Sequence, residues 1–152
     1  VQKEQKKKET KKKKMANFDI AYKKTSGNEG GYANVSGDNG GETYCGISRK
    51  FWPNWAGWKI VDANKPLKHN QIIKNPTLES LVKGFYKKEF WDKIEGDKID
   101  NQDVADTLYD FGVNAGTGVS IKQIQKVLGL PVTGKITEDL IEAINNPERM
   151  LL

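Results

Sequence analysis

Glu29-Gly30-Gly31-Tyr32, followed by Val35-Ser36-Gly37-Asp38-Asn39-Gly40-Gly41-Glu42-Thr43, is the stretch whose reading decides the fold. A helical pattern runs from Asn17 to about Gly27 and ends at a carboxylate, after which two glycines let the backbone double back. The run around Asp38 is too rich in Gly, Asn and Asp to be helix, so residues 28–45 read as a loop with a short hairpin. A Glu at a helix end that faces an Asp and a Thr across such a turn has the parts to flank a glycosidic bond. Cleaving that bond takes one proton donor and a second group that manages the positive charge or the attacking water.

Outward from this stretch the pattern is mostly helical. Asn17 caps a first helix with Phe18, Ala21, Tyr22 and Thr25 inward. Ser48 reads as the cap of a short second helix that Pro53 interrupts, with Trp52, Trp55 and Trp58 crowded behind it. Asn75-Pro76 is a cap followed by a first-turn proline, and Leu78, Leu81, Val82, Phe85 and Tyr86 form a stripe to about Trp91. Asp100 caps the next helix, with Val104, Ala105, Leu108 and Phe111 inward. Ile121, Ile124 and Leu128 mark another, stopped by Gly129 and Pro131, and a last one begins near Thr137. Five or six helices and one small loop or hairpin region make a mainly α, α+β fold.

Charge excludes several functions. The net charge is +5, yet residues 1–14 alone hold eight Lys and two Glu, which leaves 17 basic and 18 acidic residues in the rest. A nucleic-acid footprint needs a basic stripe on the folded surface, and the basic character here belongs to the tail, so no nucleic-acid partner is expected. That tail is a charged run with almost no apolar residue to offset its ordering entropy, and it reads as disordered. Met15-Ala16-Asn17 reads as a start codon and a helix cap, leaving the tail as an upstream extension, a tether or an added segment. The sequence carries no secretory-signal pattern and no apolar run of membrane-spanning length. One cysteine excludes an intramolecular disulfide, and one histidine disfavours a zinc site, so neither metal nor cofactor is expected.

The run from Asn17 to Ile47 resembles glycoside hydrolase family 108, bacterial and prophage N-acetylmuramidases that include proteins described as secretion activators. The resemblance rests on Glu29-Gly30-Gly31-Tyr32, on Asp38-Asn39-Gly40-Gly41-Glu42-Thr43 and on Gly46-Ile47. Phe85-Tyr86-Lys87-Lys88-Glu89-Phe90-Trp91 and Asp110-Phe111-Gly112-Val113-Asn114-Ala115-Gly116 resemble later segments of the family. Ile124-Gln125 with Leu128-Gly129, Val132 and Gly134 is similar to its peptidoglycan-binding region. The resemblance implies a lysozyme-like fold and three parts: a tail over 1–14, a catalytic region over 15–96 and a wall-binding helical region over 97–152, packed as one unit. It further implies hydrolysis of the β-1,4 bond between N-acetylmuramic acid and N-acetylglucosamine in peptidoglycan, by a monomer that does not insert into membranes. Export by a holin, as for a prophage endolysin, or by a dedicated secretion system is expected. Family members continue with an Arg- and aromatic-rich helical segment where this sequence stops at Leu152, so a short member or a partial sequence is expected.

Within this reading Glu29 is the general acid, held protonated by an apolar niche to which Tyr22, Tyr32 or Trp91 contributes. Asp38 and Thr43 position a water or support the oxocarbenium-like transition state, with Glu42 a competing second carboxylate. The glycine-rich loop favours an inverting spacing of roughly 6.5–9.5 Å between Glu29 and Asp38. Tyr32, Trp91 and Asn114 are the candidate substrate-binding residues, whereas the tryptophans at 52, 55 and 58 and Cys45 read as core. Three rivals stand beside this reading: a lytic transglycosylase on the same bond, a thiol peptidase using Cys45 and His69, and a non-catalytic wall-binding or secretion-assisting module.

Removing residues 1–14 is expected to leave the melting temperature unchanged, because the segment has no apolar surface to pack. Binding to anionic walls weakens only at low salt, and the difference fades as the Debye length falls to about 10 Å near 0.1 M. Calorimetry and wall-binding assays across a salt series check both.

Overall fold

The computed structural model describes residues 15–26, 30–34 and 41–147. The expected tail lies outside them. The fold is mainly α with a small antiparallel sheet, as the sequence predicts. Among the described residues the elements are α1 (Phe18–Thr25), β1 (Tyr32–Asn34), β2 (Glu42–Tyr44), β3 (Ile47–Ser48), α2 (Trp58–Ala63), α3 (Pro76–Tyr86), α4 (Gln102–Ala115), α5 (Thr117–Val127) and α6 (Glu138–Asn145). A π-helical turn over Lys87–Trp91 and two 3-10 turns over Asp92–Ile94 and Gly96–Lys98 precede α4. The chain divides into two compact units, Ser26–Tyr86 and the segments on either side of it. This division follows packing; the one drawn at residue 96 concerns function.

In the Ser26–Tyr86 unit, β1, β2 and β3 form one antiparallel sheet in sequence order. Tyr32 pairs with Tyr44, Ala33 with Thr43 and Asn34 with Glu42, and Thr43 pairs onward with Ser48. Cys45 and Gly46 make the two-residue turn between β2 and β3, both with positive φ, at 48° and 81°. That is the geometry whose twist matches paired strands. Two expectations are thereby corrected. Ser48 pairs in β3 and caps no helix, and Cys45 is half-buried at a turn, its N–H donating to the Gly31 carbonyl.

The backbone of Tyr32 also pairs with the segment before α3. Its N–H donates to the Gln71 carbonyl at 2.9 Å and its carbonyl accepts from the Asn70 N–H at 2.7 Å. A Cβ on Gly31 would lie 2.2 Å from the Gln71 carbonyl oxygen, so only glycine fits there. The Tyr44 hydroxyl accepts from the Ile73 N–H and the Tyr86 hydroxyl donates to the Cys45 carbonyl, which ties α3 and its approach to the hairpin. Asn75 caps α3 as predicted, accepting from the Leu78 N–H at 3.0 Å. The tryptophans divide. Trp58 is buried and donates to the Trp52 carbonyl, Trp55 is half-buried edge-on to Trp58, and Trp52 is exposed against Phe85. The core expectation therefore holds for Trp58 and fails for Trp52.

In the other unit α1 packs on α4, and α4 on α5. Asn17 caps α1 through the Asp19 N–H. The cap of α4 is Asn101, accepting from the Val104 N–H, one residue beyond the expected Asp100. Thr137 caps α6 as expected. The end of α1 is held to α4 by Lys24 on the buried Asp106 at 2.9 Å and by the Thr25 hydroxyl on Asp110. Asn145 of α6 accepts from the Asp100 N–H and donates to the Lys98 carbonyl, closing the C-terminal helix onto the 3-10 segment. Gln125 is buried, its carbonyl oxygen accepting from the Thr133 and Gly134 N–H groups and its amide donating to the Thr133 hydroxyl.

Gly31→Ala is expected to lower stability by about 1–3 kcal/mol, the usual cost of forcing atoms into filled space. At this chain length that is a fall of roughly 2–4 °C in Tm per kcal/mol, readable by calorimetry.

Candidate active site

The residues singled out from the sequence meet the structure unevenly. Glu29 and Asp38 lie outside the described residues. Thr43 sits mid-strand in β2, half-exposed, opposite Ala33 and Ser48. Successive strand residues face opposite sides of a sheet. Tyr32, Asn34, Glu42 and Tyr44 therefore share one face, and Thr43 with Ala33 takes the other.

On the first face the structure builds a charge cluster. The Tyr32 hydroxyl donates to Glu42 Oε2 at 2.6 Å. Arg49 donates to Glu42 Oε1 at 2.8 Å and makes a two-pronged contact with Asp62 at 2.8 and 2.9 Å. Lys65 Nζ reaches both Glu42 and Asp62. The Arg49 guanidinium also lies 5.0 Å from the centre of the Trp58 ring, and Lys65 Nζ 5.8 Å from that of Tyr32. Burial alone raises the Glu42 pKa, but hydrogen bonds from Lys65, Tyr32 and Arg49 together outweigh it and hold the carboxyl below its usual range. The Glu42 carboxylate, ahead of burial, pushes the Tyr32 hydroxyl up and keeps it a donor. Arg49 and then Lys65 hold Asp62 well below the usual carboxylate range. Glu42 is thus an ionised, fully engaged carboxylate. These contacts occupy the oxygens with which Glu42 would serve as the second carboxylate in place of Asp38.

An open cleft of about 520 Å³ is lined by Tyr32, Asn34, Leu67 and His69. Tyr32 is only 8% exposed and its hydroxyl is committed to Glu42, so it contributes ring surface to the cleft wall. Among the described residues that line the cleft there is no cysteine. His69 thus shares a cavity with an aromatic ring, an amide and a leucine, which is no nucleophile–base pair.

Trp91 is a correction. It is completely buried, with Phe18 and Tyr109 rings at 5.6 and 6.0 Å and its indole N–H on Asp97 at 2.8 Å. Stacking on a sugar requires an exposed face, and this ring is core. Asn114 is exposed on α4, its side-chain amide donating back to the Asp110 carbonyl at 2.8 Å. The sequence reading missed Arg49, Asp62 and Lys65. Their signal is a charge pattern, with Asp62 and Lys65 three residues apart, which is unremarkable until Glu42 is brought beside it. Among the described residues no cluster of His, Cys, Asp and Glu is arranged to hold a metal ion, and no helix is long and apolar enough to cross a membrane.

Comparison with known proteins agrees with this architecture. The family described as Glycosyl hydrolase 108 matches residues 22–116. The solved structure of Brucella abortus SagA is similar at a TM-score of 0.58 and 25% identity, over 88% of this chain and 72% of that one. No curated protein matches the chain at a significant level.

The folded Glu42 titrates below its ordinary value near 4.5, so it contributes stability above that pH. The contribution is lost as pH falls through the lower folded value, because the unfolded chain takes up the proton first. Wild type is therefore expected to lose Tm more steeply below about pH 4.5 than Glu42→Gln does. At pH 7 the variant is expected to be less stable by about 1–3 kcal/mol, as its partners are part-exposed. Thermal melts from about pH 2 to about pH 7 read both.

Proposed function

The chain belongs to glycosyl hydrolase family 108, and from that membership we propose that it is a peptidoglycan muramidase, cleaving the β-1,4 bond between N-acetylmuramic acid and N-acetylglucosamine. The observation that carries the reading is the family match over residues 22–116, which contains every candidate catalytic and substrate-binding residue. Glu29 is the general acid. The engagement of Glu42 by two cations and a tyrosine supports Asp38 as the second carboxylate, since the oxygens of its rival are already occupied.

In the proposed reaction Glu29 protonates the leaving oxygen as the glycosidic bond breaks. Asp38, with Thr43, positions the water that attacks the oxocarbenium-like centre from the opposite side, giving inversion. Thr43 is carried on a strand paired on both sides, so its hydroxyl is held on a rigid element. The helical region from residue 97 is the wall-binding part of the proposal. The Gln125 hydrogen bonds to Thr133 and Gly134 support it by ordering the segment that resembles the family's binding motif. The enzyme acts as a monomer, without metal, on the wall after holin-type or dedicated export.

Glu29→Gln is expected to fold as wild type and to lose wall digestion by roughly 10²–10⁴-fold or more, the usual worth of a general acid. Asp38→Asn is expected to cut turnover strongly and Thr43→Ala less. Turbidity loss of purified sacculi gives the rates, NMR gives the product anomer, and mass spectrometry separates hydrolysed from anhydro muropeptides. Activity of Glu29→Gln within a few-fold of wild type overturns the assignment.

A further inference from the structure

The end of α5 and the loop after it, Lys126-Val127-Leu128-Gly129-Leu130-Pro131-Val132-Thr133-Gly134-Lys135, set an uncharged run between two lysines. Local hydrogen bonds hold this loop in one shape. Gly129, at a φ of 70°, ends α5 in the left-handed conformation. The Leu130 N–H then donates to the Gln125 carbonyl and the Gly129 N–H to that of Lys126, which is the Schellman pattern. The buried Gln125 side chain accepts from the Thr133 and Gly134 N–H groups and turns the chain back along the helix. A Cβ on Gly134 would lie 3.0 Å from Lys122 Cε, so that lysine stem runs beside the returning loop. Val119, Lys122 and Lys126, three and four residues apart, share the exposed face of α5.

This surface combines apolar exposure with unanswered positive charge. Val119, Val127 and Val132 are 48%, 71% and 45% exposed, and Pro131, next to Val132, is exposed as well. Elsewhere in the same unit Lys87, Lys93 and Lys98 each meet an acid, at Asp92, Glu89 and Glu95. Lys122, Lys126 and Lys135 are exposed and meet none among the described residues, and residues 117–137 contain no Asp or Glu. We propose that this face docks on the surface of an anionic lipid bilayer, with Val127, Pro131 and Val132 in the headgroup layer and the three lysines on lipid phosphates. A soluble polyanion would answer the lysines and leave the valines in water, and an uncharged apolar partner would do the reverse. The interfacial layer of an anionic bilayer takes up both. Neither contribution is strong alone, so the docking is reversible and spans nothing. Nothing in it needs Glu29 or a cleaved bond, so it stands apart from the muramidase reading.

The test is co-sedimentation of the full-length protein with vesicles of phosphatidylglycerol and phosphatidylcholine in equal parts. Residues 1–14 carry eight lysines of their own, so every comparison keeps them and alters only the face. Lys122→Gln/Lys126→Gln/Lys135→Gln should weaken binding by roughly 100-fold, a several-fold share for each lysine. Val127→Ser/Val132→Ser should weaken it by roughly ten-fold, a loss that the charge of residues 1–14 cannot produce. All five side chains are exposed, so unchanged melting curves are expected. A nitroxide-labelled lipid in the same vesicles should broaden the wild-type amide signals of residues 127–132, which reads the contact without any substitution. Unchanged binding of both variants, no broadening at residues 127–132, or equal binding to pure phosphatidylcholine overturns the proposal. Variants that lose purified sacculi, or dissociate a dimer, while keeping the vesicles give the face to the wall or to a second copy and overturn it too. Glu29→Gln should bind vesicles as wild type does. Full wall digestion by that variant would sink the muramidase reading and leave the vesicle result standing.

Discussion

The two backbone hydrogen bonds between Tyr32 and residues 70 and 71 are the constraint on which the Ser26–Tyr86 unit depends. They force the chain to pass so close to Gly31 that no side chain fits there. They also turn a three-residue strand, marginal alone, into one held on both edges, by β2 and by the approach to α3. From that fixed strand the Tyr32 hydroxyl points at Glu42, and Glu42 in turn collects Arg49 and Lys65. One close backbone approach thereby sets the strand register, the charge cluster and one wall of the cleft.

The charge cluster is better understood as a specificity device than as a store of stability. Its members are part-exposed, with Arg49 and Lys65 side chains about a third accessible, so screening limits what each pair contributes. Its geometry is nevertheless demanding. Arg49 must serve Glu42 and Asp62 together while lying over Trp58, which admits only one placement of α2 against the hairpin. A lysine at position 49 has no planar fork with which to do this.

How much of this was legible in the sequence follows the range of the forces. Caps were readable because their hydrogen bonds span two or three residues: Asn17, Asn75 and Thr137 all stand where the pattern put them. The α4 cap was displaced by one residue because Asp100 and Asn101 are both competent, and the Asp100 N–H is drawn instead to Asn145, 45 residues away. A short hairpin is legible within residues 28–45, whereas the turn at Cys45-Gly46 is not, since it uses a cysteine at positive φ where Asn or Asp is usual. The partners of Glu42 were invisible because they are brought together only by tertiary folding. Trp91 was misjudged for the same reason. An aromatic beside a family motif gives no sign of whether its ring faces solvent or, as here, Phe18 and Tyr109.

The burial of Trp91 has a consequence for how this chain can vary. A Cβ at Gly96 would fall 2.2 Å from the indole, so the glycine is a space reserved for the ring five residues before it. Positions 91 and 96 are therefore one volume shared between two residues. A larger residue at 96 is tolerable only beside a smaller ring at 91, and a smaller ring alone leaves a void between α1 and α4. Among diverging sequences with this fold, the two sites should drift as a correlated pair, each compensating the other, while neither changes freely.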